Sequence, residues 1–201
     1  MTAPSATPGS RPPYRWAVML CDRAYRWVHG LDRPAAQVGP AVRVEIRRIR
    51  RARTLADGAR LVPGDRVGLL HLNNSRIAAI HVDGRSPWSV GLEFRRQLVA
   101  SAHTLAMLAA DDGPLGDVAA FSATTIFHEA LARLGFAAEP NAPAWPRLVA
   151  AYQRALLVSI HPAGAPRLSR ATYRNAPRLW LSRDALLARY GREFSRGSAG
   201  A

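Results

Sequence analysis

Along residues 14–31 the apolar positions recur at helical spacing. Trp16, Ala17, Leu20, Ala24, Trp27, Val28 and Leu31 share one face, and Arg15, Asp22, Arg23 and Arg26 gather on the other. An amphipathic helix of this kind is expected to dock its apolar face on the domain's own core. A membrane surface is the alternative, because the helix carries tryptophan as well as arginine. After a Pro/Gly-bearing loop (31–40) the period changes to two: Val42, Val44 and Ile46 alternate with Arg43, Glu45 and Arg47, which predicts a strand within 41–50. Asp57-Gly58 and Pro63-Gly64-Asp65 mark hairpin turns, and a further strand is expected over 66–72, ended by Asn73-Asn74.

The second half reads as more helical. Phe94, Leu98, Ala102, Leu105 and Ala109 form a stripe through a helix expected over 88–110, which Asp111-Asp112-Gly113-Pro114 stops. A short strand (118–122), a helix (124–134) ended by Gly135 and another strand (136–139) follow. A helix over 145–159 carries Trp145, Leu148, Tyr152, Leu156 and Ser159 at helical spacing, and His161-Pro162 closes it. Beyond an Arg/Pro-rich loop (163–177) come a strand at 178–181 and a last helix, with Ser182 as N-cap, Asp184 in the first turn and Gly191 past the end. The order predicts an α+β fold: a small mixed or antiparallel sheet packed against about four to five helices. The domain is expected over 14–191, between a proline-rich tail (1–13) and a frayed end (192–201).

Composition narrows the partners more than the fold. A chain of 201 residues with 48% apolar content fits one domain, on the usual scale of about 100 to 200 residues each. The single cysteine, Cys21, forms no internal disulfide and reads as a half-buried, unreactive thiol in a reducing compartment. No window approaches the roughly 18 to 20 apolar residues of a spanning helix, and the first 13 residues do not read as a secretory signal. A cytoplasmic setting is expected, free or peripheral to the inner face of the membrane. The net charge is +14, and all 28 cationic side chains are arginine. Residues 1–53 hold 11 arginines against 3 acids, 54–141 hold 7 against 9, and 142–201 hold 10 against 2. Basic ends around a near-neutral middle favour an anionic partner.

Candidate chemistry concentrates in Gly68-Leu69-Leu70-His71-Leu72-Asn73-Asn74. Strand alternation puts His71 and Asn73 on one face at a strand's end, where rigid scaffolds present functional groups. Asn73 as a cap for the next segment is the plain alternative. His71, Asn73, Asn74 and His161 are the catalytic candidates. His161 also suits a structural place at a helix C-terminus. Arg43, Arg47, Arg48, Arg50 and Arg51 form the densest basic patch and are the candidate binding residues, against the plainer reading of a charged, solvated sheet edge. His128-Glu129 lacks a second histidine four positions on, and no two histidines are four apart, so no metal site is expected. Serine-hydrolase and phosphate-loop motifs are missing as well, and no cofactor is expected. Nucleic-acid binding has less support, since no reading helix or interleaved aromatics accompany the charge.

Several stretches, taken in order, resemble the YkoP-like domain of bacteria. They are 20–29 (Leu20 to His29), the 61–74 block with Leu61-Val62-Pro63-Gly64-Asp65-Arg66-Val67-Gly68 and Leu70-His71-Leu72-Asn73-Asn74, then Arg133-Leu134-Gly135-Phe136, Leu179-Trp180-Leu181-Ser182-Arg183 and Arg189-Tyr190-Gly191. The resemblance implies an accessory domain, found alone or attached to polysaccharide deacetylases, in bacterial envelope glycan metabolism. The expected partners are an anionic glycan, a lipid-linked intermediate or a membrane surface, and a polysaccharide-processing enzyme. Deacetylase activity itself is not implied, because the chain has no spaced histidine pair for the metal. The competing expectation is an enzyme acting on a sugar or sugar-lipid, with His71 as general acid or base and Asn73 or Asn74 orienting substrate; His161 or Ser122 would be its partner.

Overall fold

The computed structural model describes residues 13–81, 86–139, 146–160 and 174–191. Helix α1 (Pro13–Val28) leads through a 3-10 turn (Pro34–Ala36) to β1 (Gln37–Val38) and β2 (Val42–Arg48). A small hairpin, β3 (Arg53–Thr54) and β4 (Arg60–Leu61), precedes β5 (Arg66–Leu72). Helices α2 (Asn74–His81) and α3 (Pro87–Leu108) then cross to β6 (Val118–Thr124). The remainder is α4 (His128–Arg133), β7 (Ala137–Ala138), α5 (Pro146–Ile160), β8 (Arg178–Ser182) and α6 (Arg183–Tyr190). Residues 1–12 of the expected tail (1–13), the expected frayed end (192–201), His161 and most of the Arg/Pro-rich loop lie outside the described residues, and α1 begins at the last residue of that tail, Pro13.

The α+β fold is as the patterning predicts, with a six-stranded mixed sheet in the order β1-β2-β5-β6-β8-β7. β5 and β6 run parallel and every other neighbouring pair is antiparallel. The parallel pair requires a crossover, which α2 and α3 supply. Alternation gives each strand two contrasting faces. Val42, Val44, Phe121, Ala123, Leu179 and Leu181 join Leu98, Ala102 and Leu105 of α3, and Leu186 of α6, in the main core. A side chain at Gly68 would place its Cβ 2.6 Å from the Phe121 ring, so the Phe121 slot exists only because this strand position is glycine.

The opposite face has two covers. Its lower part (Val67, Ala120, Trp180) packs under the β3–β4 hairpin with Ile49, Leu55 and Leu61. Arg53 fastens that hairpin: its guanidinium lies 4.6 Å over the Trp180 ring and donates to Glu139 (2.5 Å), which also accepts from the Trp180 indole (3.1 Å). The upper part is polar and lies under α1.

Helix α1 reverses the expected docking. Asp22 is buried while Trp16, Leu20, Trp27 and Val28 are exposed, Trp16 at 72% and Trp27 at 81%. Of the expected apolar face only Leu31, beyond the helix end, reaches the core. The sheet beneath α1 presents Arg43, Glu45 and His71, so the helix face that fits it is the one carrying Asp22, Tyr25, Arg26 and His29; its flank packs along α5. Cys21 accordingly lies exposed rather than half-buried. No helix among the described residues is long and apolar enough to cross a membrane.

Candidate functional site

The parallel strands β5 and β6 end side by side, next to the start of β2. Open α/β sheets characteristically bind ligands outside the carboxyl ends of parallel strands. Here a cavity of about 130 Å³ lies at those ends, lined by His71, Arg43, Asn74, Thr124 and Thr125, by Asp22, Tyr25 and Arg26 of α1, and by Tyr152 and Gln153 of α5. Leu70, Leu98 and Phe94 form its apolar wall.

His71 and Glu45 are the chemical centre. They sit on neighbouring strands, one rung pair apart, because Arg43 faces His71 and Glu45 follows two residues on the same side. Glu45 Oε2 lies 3.2 Å from His71 Nε2, while Oε1 lies 3.0 Å from His29 Nδ1 and 2.5 Å from Arg47 Nε. A carboxylate only accepts, so His71 Nε2 carries a proton where it meets Glu45, which leaves His71 Nδ1 as the basic atom of a neutral ring; His29 Nδ1 stands between the Glu45 acceptor and the Arg47 Nη2 donor (3.1 Å). Burial lowers the His71 pKa below its ordinary 6.5, and the nearby Glu45 offsets only part of that. Burial alone would raise Glu45, but the hydrogen bonds from His29 and Arg47 outweigh it and hold the carboxyl below its usual range. The Tyr25 ring stacks on His29 at 4.1 Å and stands 5.7 Å from His71. Burial and then Glu45 raise its phenol.

A second polar chain rims the cavity. Asn74 donates to Asp22 (2.9 Å), Arg26 Nε lies 3.1 Å from Asp22 as an ion pair without hydrogen-bond alignment, and Arg26 and Arg43 both reach Asp32, at 3.4 and 2.7 Å. Arg43 is 6% exposed, and its buried Nε has no hydrogen-bond partner. Across the cavity, Tyr152 is pushed up to about 12 by burial and then by the Asp22 charge. Gln153 is already committed: it accepts from Ile126 N and donates to Thr124 O, fixing α5 to the end of β6.

The family model of the YkoP domain matches residues 13–190, from the start of α1 to the last residue of α6. The chain belongs to the YkoP domain family. No curated protein and no solved structure matches it.

Of the residues singled out in the sequence of this YkoP domain, His71, Asn74 and Arg43 line one cavity. Asn73 does not. Its side chain accepts from Arg76 N at 3.4 Å, and its own N–H donates to Ala41 O, so it starts α2 as a cap. Ser122 is buried on the strand next to His71 but is not among the cavity's lining residues. His161 lies outside the described residues. Arg47 is held by Glu45, Arg48 donates to Gly64 O (2.7 Å), and Arg50 and Arg51 are exposed past the strand end. The solvated-edge reading fails at Arg43, which β1 and β5 flank on either side. Glu45, His29 and Asp22 were not singled out as candidates. For Glu45 the signal was a strand face carrying both charge signs; Asp22 and His29, on α1 and just past its end, gave none. Among the described residues no group of three His, Cys, Asp or Glu is placed to hold a metal ion.

Proposed function

We propose that this YkoP domain protein is an accessory binding domain of bacterial envelope glycan metabolism, and that the cavity under α1 seats a polar group of the glycan. Arg43 carries the reading: a buried guanidinium with an unpartnered N–H in a cavity wall favours an incoming acceptor oxygen. The hydroxyls, acetamides and carboxylates of envelope sugars all offer one. The glycan setting itself comes from the family resemblance. Titrating N-acetylglucosamine, N-acetylmuramic acid and their β-1,4 oligomers against the amide NMR spectrum tests it. The expected result is saturable shifts at Asn74, Tyr25 and Gln153 that Arg43→Gln weakens by about tenfold, the value of one charge-assisted contact. No saturable binding, or binding indifferent to Arg43→Gln, overturns it.

One observation favours catalysis as a second reading. His71 lines the cavity as a neutral imidazole while Glu45, behind it, fixes its tautomer. That arrangement suits a general base acting through Nδ1 on a sugar hydroxyl or a water. Turnover of any of the same sugars, abolished by His71→Gln and falling on the acid side of the profile as His71 protonates, would establish it.

The outward stripe of α1 supports a membrane-surface form of the binding reading. Trp16, Leu20, Trp27 and Val28 face away from the domain beside the exposed Arg23, an arrangement suited to the interface of an anionic bilayer.

A further inference from the structure

A second concavity, of about 720 Å³, lies between α3, α4 and α6. Its chemistry differs from the cavity's. Arg95 and His103 enter from α3, Arg133 from the end of α4, and Arg189 from the end of α6, and no carboxylate is among its lining residues. Arg189 is held in place: it donates to Arg133 O (2.8 Å) and lies over the Tyr190 ring at 5.8 Å. Gly135, at φ 100, ends α4 and turns the chain so that Arg133 and Arg189 come to the same rim. Arg95, Arg133 and Arg189 are exposed, and among the described residues neither Arg95 nor Arg133 pairs with an acid. At the other end of the groove the Trp88 ring is 76% exposed, and Gly91, one turn on, leaves open space where a side chain would stand.

Three like charges converging without a counter-charge repel one another, and an anion between them removes that repulsion. Guanidinium groups match the geometry of phosphoryl oxygens through paired N–H donors. An exposed indole in the same groove offers a flat apolar platform for the carbon skeleton that carries the phosphate. We infer that this groove is a binding site for a phosphate ester, with its phosphoryl oxygens on Arg95, Arg133 and Arg189 and its organic part against Trp88. The groove adjoins the cavity under α1 across Phe94 and Leu98, which line both, but shares none of its polar residues and does not depend on the glycan reading.

Isothermal titration at fixed ionic strength with pyrophosphate and with glucose 1-phosphate, together with sedimentation on phosphatidic acid vesicles, tests it. The paired variants are Arg95→Gln/Arg133→Gln in the groove and Arg60→Gln/Arg76→Gln outside it; each removes two exposed charges, so a general response to the net charge affects both alike. The expected result is a loss of about tenfold or more in affinity from the groove pair and little from the outside pair. Gly91→Phe, which fills the open side of the groove on a helix surface, reproduces the loss if the groove is the site. Weakening of glucose 1-phosphate binding without weakening of the vesicle arm assigns a free phosphate ester, and weakening of the vesicle arm as well assigns a headgroup. Equal losses from both pairs, no binding of any probe, or full affinity in Gly91→Phe overturns the inference.

Discussion

The two faces of the sheet are made by consecutive residues of the same strands, yet they are built on opposite terms. Toward α3 stand Val44, Gly68, Phe121 and Leu181, closed into one apolar core. On the alternate positions of β2 and β5, toward α1, stand Arg43, Glu45 and His71, with charges of both signs held against a helix that turns its own polar side to meet them. Apolar burial contributes about 25 cal/mol per Å². A buried ionic network contributes far less net, because desolvation offsets most of the attraction. Stability therefore belongs to the α3 face. The α1 face retains a costly arrangement whose donors and acceptors converge on a cavity, as the proposed binding role requires.

Substitutions on each face measure that difference. Phe121→Ala empties the slot opposite Gly68 and is expected to cost about 3–5 kcal/mol in denaturant unfolding; a cost under about 1 kcal/mol would place the core elsewhere. Glu45→Gln is expected to cost less, about 1–3 kcal/mol, by leaving His29 and Arg47 without their carboxylate. Its pH signature is distinct. Because the folded pKa of Glu45 is depressed, its contribution is complete above the usual carboxylate value and is lost as pH falls through the lowered one. Thermal melts of Glu45→Gln should therefore lose part of the acid-side slope of the parent.

A smaller effect is expected at His71. Its folded pKa lies below 6.5, so the unfolded chain takes up that proton first and stability falls as pH drops from about 7 toward the lowered value. His71→Gln should flatten this stretch by less than one proton, and an unchanged slope would mean that His71 is not held neutral. The smallest effect belongs to the outward side of α1. Leu20→Gln with Trp27→Gln is expected to shift stability by no more than about 0.5 kcal/mol, since neither side chain is buried. The same pair should abolish flotation with anionic vesicles; flotation that persists, or that shows no preference for anionic over neutral lipid, sinks the membrane form of the proposal.

Local chemistry was readable where it acts within a few residues. The limits of β5, the Ser182 cap that accepts from Ala185 N at 3.1 Å, and the turns at Gly58 and Gly64 follow from the sequence. Helix α2 did not, because its eight residues carry almost no amphipathic signal and only the Asn73 cap announces them. The orientation of α1 was missed for a different reason. Periodicity tells which residues share a helix face but not what that face meets, and here the facing strands are charged. Glu45 escaped notice on the same grounds: alternation marks Arg43, Glu45 and Arg47 as one polar face without saying whether water or another helix covers it.

The parallel pairing of β5 with β6 also bears on how the chain assembles. β2 meets β5 across a short stretch holding only the β3–β4 hairpin, so that antiparallel half closes a small loop. β6 reaches β5 only after residues 73–117 have been gathered in, and Phe121 finds its slot over Gly68 at that moment. Contacts of such sequence separation are slow to form. The β2–β5 half is thus placed to form early, and the step that joins it to β6 is also the one that brings the two ends of the cavity together.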